Sequence, residues 1–301
     1  MIIVTGGTGF TGSAVARELA RRGRPVAVLS RDASHASSRF AGLGVEMREG
    51  DVRDEASLRV AFEGVETVVN AVQFPNSPIE NKRKGWTFEA IDYRGTVAQV
   101  EAARQAGVRK FVYVSGAGAA PDAAKHWFRY KWQAEEAVRN SGLAYVIVRP
   151  TWVYGPGDVS LNRFLGFARM LPFVPTFGDG KQAMQPLFID DAGRILADAA
   201  ERPEADGQTL EAGGPERMSM DEVIRTALEV SGKRRPLLHQ PVALGKAIAT
   251  LLQLLPNPPL TPDAIDFITH EAIADNSALE RALAPRLTPL REGLATYLAP
   301  S

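Results

Sequence analysis

The chain has 301 residues, of which 45% are hydrophobic, and its 35 basic and 35 acidic side chains cancel. That length and composition support one large core with an appended lobe, or two small domains. The zero net charge argues against a nucleic-acid surface, and the lack of cysteine removes disulfides, thiolate catalysis and cysteine-held zinc.

The opening stretch Met1-Ile2-Ile3-Val4-Thr5-Gly6-Gly7-Thr8-Gly9-Phe10-Thr11-Gly12 is an apolar run too short for a helix, followed by a glycine loop. Ser13 to Arg22 then has helical spacing. A buried strand turning tightly into a helix N-terminus is the entry to a dinucleotide-binding unit. In such a unit one glycine makes the turn, one lets backbone approach a pyrophosphate, and one lets the helix pack on the strand. Free N–H groups and the helix dipole then hold the phosphate charge. Gly6, Thr8, Gly9, Phe10, Thr11 and Gly12 are therefore candidate cofactor contacts.

Strand and helix patterns alternate from there. Val26 to Ser30 reads as a second strand, Val45-Glu46-Met47 as a weak third, and Asp54 as the cap of a helix through Phe62. Glu66 to Ala71 is a fourth strand, and Trp86 to Ala106 a long helix stopped by Gly107. Lys110 to Ser115 is a fifth strand, Ala124 to Asn140 a helix, and Ala144 to Val148 a sixth strand. Repeated βα units with apolar strands predict an α/β fold, a doubly wound parallel Rossmann sheet that binds ligands at its strands' carboxyl ends. Residues 1–150 are expected to form this domain and 151–301 a smaller, mostly helical lobe, with part of 186–212 returning to the first.

An acidic residue ending the second strand bonds the ribose of NAD, whereas an arginine there accommodates the 2′-phosphate of NADP. Here the strand ends in Ser30-Arg31-Asp32. Ser30 stands in the acid's place and Arg31 suits a phosphate, which favours NADP(H) over NAD(H); Asp32 can pair with Arg31 or turn to the ribose. Asp51, with the amide of Val52, suits an adenine edge, and Ala71, Val72 and Gln73 end the fourth strand with room for a cofactor.

In the second half, Asp190-Asp191 and Thr288-Pro289 read as helix starts, as does Thr261-Pro262. Ser219-Met220-Asp221-Glu222 is a capping box. Asn162 and Arg163 read as a solvated helix face. Val242 to Leu255 is apolar, ends at Pro256-Asn257-Pro258-Pro259, and falls short of the roughly 20 residues of a span. A packed helix is the favoured reading over a membrane-surface or partner-binding face. With no membrane span and no leader read ahead of the first strand, a cytoplasmic protein is expected.

Together these residues resemble the extended and atypical branches of the short-chain dehydrogenase/reductase superfamily. The resemblance rests on Thr5 to Gly12, Gly50-Asp51-Val52, Phe111 to Ser115 and Arg149-Pro150-Thr151. It continues through Pro186 to Ala192 and Ala212 to Glu216. The run Pro258 to Asp263 with Thr288 to Leu294 is similar to the subgroup of the dehydrogenase-like accessory subunit of respiratory complex I. The resemblance implies that Pro150, Trp152 and Val153 lie at the nicotinamide end. It also implies a catalytic Ser, a proton-transferring Tyr, and a Lys four residues after it on the same helix face.

Ser115 fits the Ser. Lys131 fits the Lys as catalytic and cofactor-holding residue, but the residue four before it is Trp127, whose indole is no acid near neutral pH. In a competing register Tyr130 is the donor, with Ala134 where its Lys belongs. The first register agrees with Ala134-Glu135 and with the distance to the sixth strand. Tyr130, about 60° around the helix from Trp127, and His126 are conceivable substitutes.

Three functions follow. The first is an NADP(H)-binding protein with weak or absent dehydrogenase activity, acting as sensor or accessory factor. The second is an NADPH-dependent reductase of a carbonyl or quinone-like substrate, its pocket lined by aromatics such as Phe74, Trp86, Trp127, Trp152 and Tyr154. A nucleotide-sugar epimerase or dehydratase, which needs the missing Tyr-Lys pair, ranks last. No metal site is expected, the substrate and oligomeric state stay open, and a peripheral membrane or protein partner is compatible.

Overall fold

The computed structural model describes residues 1–253, 255, 258 and 260–298. Seven parallel strands form the central sheet: β1 (Ile2–Thr5), β2 (Val26–Ser30), β3 (Glu46–Glu49), β4 (Thr67–Asn70), β5 (Lys110–Val114), β6 (Ala144–Pro150) and β7 (Gln208–Ala212). Their order is β7-β6-β5-β4-β1-β2-β3, so the winding reverses between β1 and β4. Ile2 and Thr5 of β1 pair with Val26 and Leu29 on one side and with Thr67 and Asn70 on the other. At such a reversal the crossover helices diverge and leave a crevice beyond the strand ends.

The strands are apolar on both faces because both are covered. One face packs on helices α1 (Phe10–Arg21) and α5 (Ile189–Glu201) through Val15, Leu19, Ile195 and Leu196. The other packs on α2 (Glu55–Ala61), α3 (Gly95–Gln105) and α4 (His126–Arg139) through Leu58, Val100, Ala103, Ala134 and Val138. This is the doubly wound parallel sheet predicted from the strand and helix alternation. The chain reaches β7 only after passing through 151–207, and β7 pairs in parallel with β6 from Gln208 opposite Val146 to Ala212 opposite Pro150.

The remaining chain builds a smaller, mostly helical lobe. Its core joins Leu161, Leu165, Phe188, Val223, Ile224 and Leu294 from helices distant in sequence. The predicted capping box is present at Met220–Val230, where Ser219 and Glu222 bond reciprocally, and Thr261 caps Pro262–Ile268 through the Ala264 amide. Helix α6 (Val242–Leu252) is shorter than the apolar run that signals it. Of the proline run expected to stop it, Pro256, Asn257 and Pro259 lie outside the described residues.

Several local expectations are corrected. Helix α1 starts at Phe10 rather than Ser13, since Gly9 already occupies the cap position. The long helix after Trp86 is not uniform: Phe88–Arg94 is wound as π-helical turns before α3 begins. Asp191 does not cap α5. It is buried, and it accepts from the Thr288 amide at 2.6 Å and from the Thr288 hydroxyl at 2.9 Å. Thr288 is thereby spent on Asp191 rather than on its own helix.

Candidate functional site

The glycine loop leaves β1 at Gly6, which has φ +69°, a conformation that a side chain resists. A Cβ on Gly6 would also stand 2.5 Å from the Ala71 carbonyl oxygen, so β4's end closes over the turn. At Gly12 a Cβ would overlap the Gly6 carbonyl, which fixes how closely α1 sits on the loop. Gly9, by contrast, is exposed and has only the Gly6 carbonyl near it. No side chain caps α1 and no acid occupies its first turn, so the first amides of the helix keep their donor capacity for an anion. This cradle fits a pyrophosphate.

From that loop a cleft of about 300 Å³ runs across the sheet toward β3. Of the residues singled out in sequence, it brings together Gly6, Thr8, Ser30, Arg31, Asp51, Val52, Val72 and Gln73. Asp32 also lines the cleft, with its carboxylate engaged locally. Its carboxylate accepts from the His35 amide and the Ser34 hydroxyl, both at 2.9 Å, and these bonds hold its pKa low. Ser30 donates locally, to the Asp32 carbonyl at 2.9 Å. Asp51 is bound by Arg53 at 2.6 Å through its guanidinium and at 3.0 Å through its amide, and sits below the usual carboxylate range for that reason. Arg31 is exposed and joins no ion pair among the described residues, leaving its guanidinium open to a phosphate.

Two cleft arginines escaped the sequence reading. Arg39 reaches back to donate to the Thr8 carbonyl at 2.6 Å, and Arg53 clamps Asp51. The only signal was a local excess of arginine, because the connection after β2 has no periodicity to say which way it folds.

At the other end, Lys131 donates to Asp92 at 2.9 Å, and its ammonium lies 6.0 Å from the Tyr113 ring. Asp92 is fully buried, its second oxygen has no partner, and burial drives its pKa up while Lys131 opposes that rise. Trp127 stands one turn before Lys131, 1% exposed, with ring centroids of Phe128 and Phe267 each 6.0 Å away. Its indole N–H has no partner. Tyr130 donates to Glu89 at 3.3 Å, and burial and then the Glu89 charge push its phenol up. The His126 ring nitrogen is 3.6 Å from Glu80.

Ser115 is a correction. Its buried hydroxyl donates to Glu135 at 2.6 Å, and Glu135 is further bound by Arg139 at 2.8 Å and Arg149 at 2.6 Å. A side chain that ends in an ion cluster inside the fold is not presented to substrate. Both residues lie just past β5, and it is Gly116, the next residue, whose missing Cβ would touch the Lys131 stem at 3.4 Å.

Pro150, Trp152 and Val153 lie at the carboxyl end of β6, outside the cleft. Pro150 accepts from the Ala117 amide, while Trp152 and Val153 pack with Phe10 against the lobe core. Thr11 sits in the first turn of α1. Among the aromatics proposed as lining, Phe74 and Trp86 reach the cleft and Tyr154 does not. Tyr154 is fully buried in the lobe core, its hydroxyl 3.4 Å from the Leu290 carbonyl. Asn162 bonds back to Asp158 and Arg163 is exposed, as a solvated helix face requires.

With this geometry in view, the similarities are informative. Residues 6–162 match the family described as NAD(P)H-binding. The chain is 26% identical, over 92% of its length and 71% of the other's, to the mitochondrial NADH dehydrogenase [ubiquinone] 1 alpha subcomplex subunit 9 of Arabidopsis thaliana. Its match to the rat subunit spans only 59% of that protein. It is 30% identical to the NAD(P)H azoreductase of Xenophilus azovorans over 82% of this chain and 79% of that one. Among solved structures, the Escherichia coli NADPH-dependent quinone oxidoreductase QOR2 with NADPH superposes with a TM-score of 0.74 at 20% identity, covering 98% of this chain and 99% of that one. MoeE5 with UDP-glucose and NAD gives 0.78 at 22%, covering 99% and 97%. Among the described residues no helix is long and apolar enough to cross a membrane. A Rossmann sheet, a glycine cradle at its switch point and these matches converge: the chain belongs to the NAD(P)H-binding family, is homologous to the complex I subunit 9 proteins and to the NAD(P)H azoreductase, and shares its fold with the quinone oxidoreductase and MoeE5.

Proposed function

We propose that the protein binds NADP(H) in preference to NAD(H) and has weak or no dehydrogenase activity, serving as a redox-state sensor or accessory factor. The observation that carries this is the pairing of Lys131 with Asp92 beside a sealed indole. In the register that ends on Lys131 the acid's position is Trp127, which is buried among aromatics and has no exchangeable proton of useful acidity. Of the two substitutes, Tyr130 donates to Glu89 and His126 faces Glu80, and Ser115 donates to Glu135, which supports the reading that none takes the acid's place. A bound nicotinamide supplies hydride; without a proton donor the reduction of a carbonyl is left uncompensated. Lys131 keeps the holding half of its role. Gly6, Gly9, Gly12 and the first amides of α1 would hold the pyrophosphate, and Arg31 with Arg39 the 2′-phosphate.

The second reading, an NADPH-dependent reductase of a quinone or azo-type substrate, is favoured by the similarity to an NAD(P)H azoreductase. Such acceptors draw their protons from water and need no tyrosine. Activity on UDP-sugars rests on fold likeness alone. We also propose a cytoplasmic location, to be checked by fractionation because the subunit 9 relatives are mitochondrial.

The test is fluorescence titration with NADPH and NADH, followed by a panel of carbonyls, quinones and azo dyes with NADPH. Tight NADPH binding without carbonyl turnover supports the proposal. Carbonyl turnover lost in Tyr130→Phe contradicts it, and quinone or azo turnover lost in Lys131→Ala selects the second reading.

A further inference from the structure

Helix α6 leaves part of its aliphatic surface outside. At about 100° per residue, Leu244, Ile248 and Leu251 fall within an arc of about 60°, and they are 52%, 44% and 70% exposed. The opposite face carries the small residues Gly245 and Ala249, and these are the buried ones. Gly245 is pressed against Phe177 and Ile265, where a Cβ would stand 2.7 and 3.2 Å away. Lys246 leaves the outer face too, pairing with Asp266 at 2.5 Å. Val242 and Leu252 flank these small residues and are half-buried, whereas Leu244, Ile248 and Leu251 form a continuous aliphatic stripe open to solvent.

The charge along this part of the chain is also one-sided, up to Asp263 and the Asp266 that pairs with Lys246. The thirty-two residues 231–262 contain Lys233, Arg234, Arg235 and Lys246 and no acid at all, although acids make up 35 of the 301 residues. Arg235 donates only to the carbonyls of Ala168 and Arg234, and no ion pair engages Lys233 or Arg234 among the described residues. Arg234 and Arg235 are exposed. An outward aliphatic stripe within an acid-free, basic segment is the chemistry that anionic lipid selects: apolar side chains enter the acyl boundary and the cations meet headgroups. A second copy of this chain is a poor fit, because a two-fold contact would set basic segment against basic segment. The helix has 11 residues, which suits lying in the interface plane and not crossing it.

We propose that α6 seats the protein on an anionic membrane surface, with Leu244, Ile248 and Leu251 as the inserted side chains and Lys233, Arg234 and Arg235 as the electrostatic contact. This adds a membrane-surface role to a helix whose other face is packed, and it does not depend on the nucleotide site.

The test is flotation of the full chain with phosphatidylcholine vesicles and with mixed phosphatidylcholine–phosphatidylglycerol vesicles, at low and high salt. Binding is expected to be at least about tenfold tighter to the anionic vesicles and to fall with salt. Replacing Leu244, Ile248 and Leu251 together by Ser weakens it by about tenfold or more, as does the charge reversal Lys233→Glu, Arg234→Glu and Arg235→Glu. Circular dichroism and NADPH titration should be unchanged in both variants. Equal binding to both vesicle types, or unchanged binding in either variant, overturns the proposal. So does a failure to float, including one accompanied by a dimer that the serine variant dissociates. A wild-type protein that floats but takes up no NADPH refutes only the nucleotide reading.

Discussion

Arg31 and Asp32 are adjacent, yet their fates diverge because one has a local hydrogen-bond partner and the other has none. Asp32 is consumed in capping Ala33–Ser37, whereas the guanidinium of Arg31 remains on the cleft. Arg31→Ala should therefore weaken NADPH by about tenfold, the size of a lost charge-assisted phosphate contact, and leave NADH nearly unchanged. Equal losses in titrations of the two nucleotides would refute the assignment. Glu135 makes the opposite point. It is fully buried and accepts from Ser115, Arg139 and Arg149, so Glu135→Gln strands Arg149, while Arg139 keeps Glu136, and should cost about 3 kcal/mol in denaturant unfolding. No sequence pattern pointed to that cluster. Motif order points to Ser115, but just past the end of β5 its hydroxyl meets Glu135 and Gly116 lies beside Lys131.

The elements that carry the fold were legible because their cause is local. Strands such as β2 and β5 are apolar runs bounded by turns, and Gly107 and Asp54 stop and start helices by their own geometry. Where a remote partner decides, the reading failed. Asp191 faces Thr288, 97 residues away, and a capping rule applied to either residue alone could not foresee that bond. Asp191→Ala should cost about 2–4 kcal/mol from the two lost hydrogen bonds to a buried carboxylate, seen as a lower midpoint in urea. The π-helical turns at Phe88–Arg94 were equally hidden. They belong to the segment that aims Asp92 at Lys131. At the glycine loop the predicted division of labour can be tested directly. Gly12→Ala places a methyl on the Gly6 carbonyl, so a loss of about 1–3 kcal/mol and of nucleotide binding is expected. Wild-type titration curves for that variant would show that α1 does not need to sit so close.

For the molecule as a whole, one large sheet fixes where everything else must go. The reversal between β1 and β4 dictates the crevice, and the return of Gln208–Ala212 to β6 ties the helical lobe back onto that sheet. The cleft end of the crevice was readable in sequence to the extent that Gly6, Thr8, Ser30, Arg31, Asp51, Val52, Val72 and Gln73 line one cleft. The catalytic half was readable only as motif positions, because it is set by packing between α4, the Phe88–Arg94 turns and the lobe. The central claim is that an indole stands where the proton donor belongs, and the most direct measurement is kcat/KM for NADPH-dependent carbonyl reduction by wild type and Trp127→Tyr. Restoring a phenol one turn before Lys131 should raise it by about a hundredfold, the usual worth of a general acid. A wild-type enzyme that already reduces carbonyls at an ordinary rate, with Trp127→Tyr unchanged or slower, would contradict the account.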